Sequence, residues 1–279
     1  MRLQRPLVAL SAVALVTGGL AGTASAAKPP HHRAAITWAP AASATVHPGV
    51  QTTTDGAQCT ANFVYTDGAA VYLGQAAHCS GTGGSTETDG CQATSLPEGT
   101  AVKVAGASRP GVMVYNSWVR MRAAHETDPD TCAYNDLALI RLDPADVAQT
   151  NPSVPHFGGP TGLRTTELQV GDTVESYGNS SLRAGLSTLS PKYGRSLGDD
   201  SGGWNHTVYT VTPGIPGDSG SGFLDDAGLA FGVLSTVAIA PFAGSNGVGD
   251  LSRELAYAQA HGFAGLSLVN GTEPFTGGL

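Results

Sequence analysis

The chain has 279 residues, with 14 Lys and Arg against 22 Asp and Glu, a formal net charge of −8, and only 13% charged residues. That balance speaks against nucleic acid as a partner, whose phosphates call for clustered basic side chains. Sparse charge with 38 glycines and 17 prolines also disfavours long salt-bridged surface helices and suits short strands joined by tight turns.

The opening "MRLQRPLVALSAVALVTGGLAGTASA" places two arginines before an apolar run and ends on Ala24-Ser25-Ala26. This is the layout of a secretory signal peptide over residues 1–26. The run contains Thr17, Gly18 and Gly19 and falls short of the roughly 20 apolar residues a membrane span needs. The mature protein is therefore expected to be secreted, extracellular and free of the membrane. Residues 27–50, "AKPPHHRAAITWAPAASATVHPGV", are rich in Pro and Ala and lack an apolar period. They read as an extension or short pro-segment rather than as core. Within it His31, His32 and His47 have no acidic or cysteine partner at ligand spacing, so no metal is expected, and no motif calls for a cofactor. The four cysteines of an exported chain, Cys59, Cys79, Cys91 and Cys132, are expected to form two disulfides, with three pairings open.

From residue 59 onward the pattern is one of strands. "NFVYTDGAAVYLG" has two β-rich runs around Asp67-Gly68, a strong hairpin signal. Further strands are expected in "AVKVAG", "GVMVYNSWVRMRAA", "DLALIRL", "DTVESYG", "HTVYTVT", "GFLDDAGLAFGVLSTVAIA" and "GLSLVN". Only "LSRELAYAQAHG", residues 251–262, reads as a helix, with Ser252 as N-cap and Gly262 as the stop. The class is all-β, with β-barrels or a sandwich rather than βαβ units.

Two segments, "GDDSGGW" (198–204) and "PGDSGSGF" (216–223), each set an Asp-Ser-Gly among glycines. A serine nucleophile needs a base, an acid to orient that base, and donors for the oxyanion. His78 in "LGQAAHCS" follows the Asp67-Gly68 hairpin and adjoins Cys79, and Asp136 opens the apolar strand "DLALIRL". A carboxylate buried there needs a partner, and an imidazole N–H would serve. Asp128 and Asp130 in "DPDTCAYND" read as solvated loop residues, and that loop lacks the central Gly and bidentate Glu of a calcium site.

"AAHC", "NDLALIRL" and "GDSGSGF", in the order His, Asp, Ser, resemble the signature segments of chymotrypsin-like (trypsin-fold) serine proteases of the secreted bacterial type. The resemblance covers roughly residues 57–262. It implies two six-stranded antiparallel β-barrels with a C-terminal helix. These would divide the chain into a first barrel over 51–155, a second barrel with the helix over 156–265, and a tail over 266–279. It further implies a triad of His78, Asp136 and Ser219, an oxyanion hole from the N–H groups of Gly217 and Ser219, and a protein or peptide substrate. Pro213 would floor the primary pocket, and Ser235, Thr236 and Val237 would pair with substrate. A Cys59–Cys79 disulfide would brace the hairpin below His78, and Cys91 to Cys132 would tie loops of the first barrel. The basic residue followed by Ile-Val-Gly-Gly of animal zymogens is absent, so Asp218 needs another partner, such as an arginine. Gly217 stands two before Ser219, whereas the charged Asp199 stands two before Ser201, which makes Ser201 a loop residue. An α/β-hydrolase esterase would need Gly at position 221, where Ser stands, and would reverse the His-Ser order. A binding module that keeps the fold without turnover is the other alternative.

Overall fold

The computed structural model describes residues 36–84, 87–237 and 243–278. The expected signal segment 1–26, residues 27–35 of the extension with His31 and His32, and residues 238–240 of one expected strand lie outside the described residues.

The first half forms β1 (Gln51–Thr54), β2 (Ala57–Thr60), β3 (Val64–Thr66), β4 (Val71–Ala76), β5 (Ala101–Val104), β6 (Gly111–Asn116), α1 (Ser117–Ala124), α2 (Pro129–Tyr134) and β7 (Leu137–Arg141). In space the strands run β3-β4-β7-β6-β5-β1-β2, all antiparallel. The two edge strands, β2 and β3, are one nearly continuous stretch of chain. Between them the Asn62 N–H donates to the Gly74 carbonyl and the Gly74 N–H to the Phe63 carbonyl. Residues 57–66 therefore pair with β1 at one end and β4 at the other. This closes a six-stranded barrel and removes its free edges. Gly74 is required at that closure, since a Cβ there would lie 1.9 Å from Asn62 Oδ1.

β7 shows why the sequence run "LALI" does not alternate: all four residues are fully buried. Ala138 and Ile140 join Val64, Leu73, Val102 and Met113 inside the first barrel. On the opposite face Leu137 and Leu139 pack with Leu224, Val233, Leu251 and Leu255 from the second half. A strand buried on both faces has no need of a polar side.

A short helix, α3 (Pro144–Val147), leads toward β8 (Gly162–Leu163), β9 (Thr173–Tyr177), β10 (Pro191–Asp200), β11 (Asn205–Thr210), β12 (Gly222–Asp225), β13 (Leu229–Val237) and β14 (Asn246–Asp250). The order β12-β9-β10-β11-β14-β13 closes where β12 pairs with β13, so the second barrel also has six antiparallel strands. β8 adds to β13 in parallel. Val174, Val208, Phe223, Phe231, Leu234 and Val248 fill its interior. α4 (Leu251–Ala260) follows, and β15 (Ser267–Leu268) returns to pair with β3. The two barrels and the late helix are those expected.

Local capping chemistry overrides several expectations. The strand expected through Ala124 stops at Asn116, whose side chain accepts the Val119 N–H and starts α1. The polar loop at 128–136 contains α2, capped by Asp128 with Pro129 in the first turn. α4 is capped by Asp250, which accepts the Arg253 N–H at 2.8 Å, and not by Ser252, whose hydroxyl donates to that carboxylate. Residues 36–50 are not outside the core: Val46 and Val50 are buried in the first barrel's cluster, and Val46 bridges to Thr150. Nor is 266–278 a loose tail. Leu266 is buried, β15 extends the first barrel, and the Gly278 N–H donates to Glu175 of the second. Cys59 is bonded to Cys79, and Cys91 to Cys132.

Candidate active site

β4 ends at Ala76 and the chain tightens into a 3-10 turn, Ala77–Ser80, that carries His78. Three bonds tie this turn to the start of β7. The Ala77 N–H donates to the Asp136 carbonyl at 2.8 Å, the His78 N–H donates to Asp136 Oδ1 at 2.8 Å, and His78 Nδ1 lies 2.7 Å from Asp136 Oδ2. The Ser235 hydroxyl, from β13, donates to the same Oδ2 at 2.6 Å. Asp136 is only 2% exposed, and these donors replace the water its charge has lost. Burial by itself favours the neutral imidazole. Asp136 outweighs that and raises the His78 pKa above its ordinary value. With Nδ1 donating to the carboxylate, Nε2 keeps its lone pair.

Beneath Asp136, Glu254 of α4 is fully buried and its Oε1 accepts the Asp136 N–H at 2.9 Å. Burial pushes the Glu254 pKa well up. Nothing in the sequence around Glu254 marked it, because its role depends on α4 docking under β7.

Ser219 sits on a tight loop before β12. The Thr60 N–H donates to its carbonyl, Gly220 N–H donates to Leu234, Ser221 N–H to Asp218, and Asp218 N–H to Ile215. Among the described residues the Gly217 and Ser219 N–H groups have no protein acceptor. His78, Gly217 and Ser219 line one cleft of about 710 Å³, together with Trp118, Ile215, Ser235, Thr236 and Val237. The first barrel thus contributes His78 and Asp136 and the second Ser219 and Gly217.

No family model matches the sequence, and no curated protein matches it. Among solved structures, the chain is similar to Thermobifida fusca protease A, with a TM-score of 0.50 and 17% identity, over 81% of this chain and 99% of that one. It is also similar to a Glu endopeptidase, with a TM-score of 0.50 and 15% identity, over 76% of this chain and 91% of that one. The chain has the chymotrypsin fold.

Within the chymotrypsin fold, Asp218 is held by two cations of the second barrel. Arg183 Nη2 lies 2.5 Å and Lys192 Nζ 2.8 Å from Asp218 Oδ2, and all three side chains are buried. Burial would raise the carboxyl's pKa, but Lys192 and Arg183 outweigh it and lower the pKa below the ordinary value. An arginine was anticipated here; the lysine was not, because Lys192 stands in an unremarkable strand, "PKYGRS".

Pro213 is absent from the cleft lining; its carbonyl accepts from Arg183 and Lys192 instead. Ser201 lies at the β10–β11 turn with φ of +54°. The histidine on β11, His206, has both ring nitrogens engaged, by Asp199 and by Asp250. It therefore has no lone pair with which to activate a serine. Cys59, His78 and Cys79 come within metal-ligand reach of one another, as do Asp89, Cys91 and Cys132. In both sets the sulfurs are committed to disulfides.

Proposed function

We propose that this chain is a secreted serine endopeptidase, with Ser219 as nucleophile, His78 as general base and then acid, and Asp136 as the group that fixes the imidazole tautomer. The observation that carries this reading is the cleft that holds His78, Ser219 and Gly217 together, with Asp136 behind the imidazole. The Ser219 hydroxyl oxygen attacks the scissile carbonyl while its proton passes to His78 Nε2. The N–H groups of Gly217 and Ser219 receive the resulting oxyanion. Collapse expels the amine, which takes the proton from His78 and leaves an acyl-enzyme. Water, deprotonated by the same imidazole, then releases the acid and regenerates Ser219.

Two disulfides accord with an oxidising, extracellular compartment. Among the described residues no helix is long and apolar enough to cross a membrane. Val237, half exposed at the cleft edge, carries a branched side chain where an open pocket would need glycine. This supports a shallow primary pocket for small or medium apolar side chains.

Ser219→Ala is expected to lower turnover by about 10⁴ to 10⁶, and Ser201→Ala to leave it within about twofold. An organophosphonate serine probe should label Ser219 alone. Equal loss in both variants would overturn the assignment of Ser219 as nucleophile, and a folded wild type that neither turns over peptide nor takes the label would leave a binding module as the better reading.

A further inference from the structure

We propose that Ser180 is a positioning residue that, with Gln58 and Thr60, locks the Gly217 N–H into the oxyanion hole. The inference rests on Ser219 being the nucleophile, as argued above. A trans peptide is planar, so its C=O and N–H point in opposite directions. The Pro216 carbonyl accepts a hydrogen bond from Ser180 Oγ at 2.5 Å, which turns it toward Ser180 and sends the Gly217 N–H the other way. The next carbonyl, that of Gly217, accepts from Gln58 Nε2 at 2.9 Å and Thr60 Oγ1 at 2.8 Å. Both peptide planes around Gly217 are thereby pinned by side chains. The residue between them sits at φ +96°, a conformation that glycine adopts cheaply. A Cβ at 217 would also lie 2.5 Å from Gln58 Oε1 and 2.9 Å from Ser180 Oγ.

The pins are themselves oriented. Ser180 is buried, its N–H donates to Asp218 Oδ1 at 3.0 Å, and its Oγ accepts the Leu182 N–H at 3.1 Å. With that lone pair taken, the hydroxyl hydrogen is directed to Pro216. Thr60 Oγ1 likewise accepts the Asn179 N–H at 3.1 Å, and Gln58 Oε1 accepts the Ser181 N–H at 2.9 Å. Loss of the Ser180 hydroxyl frees the 216–217 peptide to rotate. Its carbonyl would then point where the oxyanion forms, removing one donor and adding a repulsive dipole. This arrangement sets the hole without a newly cut N-terminus.

The test uses the secreted, processed chain with a peptide anilide substrate, a peptide aldehyde that Ser219 would convert to a hemiacetal oxyanion, and the cleaved product peptide. One oxyanion donor is worth about 10² to 10³ in turnover, so Ser180→Ala, which leaves Gln58 and Thr60 in place, is expected to lose about 10- to 100-fold in kcat. KM should stay within about twofold, and aldehyde affinity should fall by the same factor as kcat. Product affinity and Tm should hold, and Ser180→Thr should restore most of the rate. Unchanged kcat, or equal loss of aldehyde and product affinity, overturns the proposal. Should Ser180→Ala not fold, Thr60→Val decides on the adjoining peptide: a loss confined to kcat supports the lock, and an unchanged kcat overturns it. A wild type without turnover or Ser219 labelling refutes the protease reading itself, a result distinct from these.

Discussion

Asp218 and its two cations make the sharpest stability prediction. Asp218→Asn keeps the shape but removes the charge that, among the described residues, pairs with Lys192, which is fully buried, and with Arg183, which is 8% exposed. Stripping one partner from a buried ion pair costs about 3–5 kcal/mol, and here two cations lose their counter-charge, which places the variant in the upper half of that range. Lys192→Met is a different perturbation. Asp218 retains Arg183 at 2.5 Å and the N–H groups of Ser180 at 3.0 Å and Ile215 at 3.2 Å. The charge-assisted hydrogen bond to Asp218, worth about 1.5–3 kcal/mol, is lost together with two longer ones at 3.3 Å to the Thr212 and Pro213 carbonyls, and relief from burying an ammonium offsets part of this, leaving a net of about 1–3 kcal/mol. Urea unfolding of the three proteins, followed by tryptophan fluorescence at constant pH, measures the difference. A Lys192→Met variant as unstable as Asp218→Asn would refute the view that Arg183 alone can hold the carboxylate.

Two pH dependences follow from the shifted groups. The His78 pKa is raised, so its neutral form, the one able to act as base, disappears as pH falls through a value above the ordinary imidazole pKa of about 6.5. The acid limb of the kcat/KM profile should therefore lie above that value and move to lower pH in Asp136→Asn; a wild-type limb below it contradicts the assigned role. For His206, burial lowers the pKa but Asp250 and Asp199 outweigh it and raise it. Its contribution to stability is then complete below the unfolded value of about 6.5 and lost as pH rises through the folded one. Asp250 has a lowered pKa, burial being outweighed by its bonds to His206, Ser252 and Arg253. Its contribution is complete above the unfolded value of about 3.9 and lost as pH falls through the folded one. Urea stability across the pH range should therefore peak between these limits in the wild type and be flatter in His206→Gln. Parallel curves would show that the cluster is not coupled to folding.

The parts of the molecule legible in the sequence are those specified by neighbours in the chain. The Asp67-Gly68 turn, the apolar β7 and the glycine-rich loop around Ser219 each carry a local signal, and it was the resemblance carried by "AAHC", "NDLALIRL" and "GDSGSGF" that implied paired barrels. Helix α1 was missed because Trp118, Val119 and Met121 look strand-like, while the deciding interaction is a single Asn116 side chain on the Val119 N–H. The role of Glu254 was invisible for another reason: its partner, the Asp136 N–H, is 118 residues away. The same holds for Gln58 and Gly217, 159 residues apart, and for Lys192 and Asp218, joined only when β10 passes behind the Ser219 loop. Residues 36–50 were misjudged because their burial follows from docking against Thr150 and not from any period of their own.

The bonds from Gln58 and Thr60 to the Gly217 carbonyl cross from one barrel to the other, and so does the bond from Ser235 to Asp136. On the proposed reading, a site assembled in this way is safeguarded against acting too early. A chain with one barrel unformed, or with both formed but apart, holds every residue the chemistry needs and none of their arrangement. If the proposed activity holds, cleavage competence would require both barrels to be formed and docked, which would protect neighbouring nascent chains, and unfinished copies of this one, from digestion.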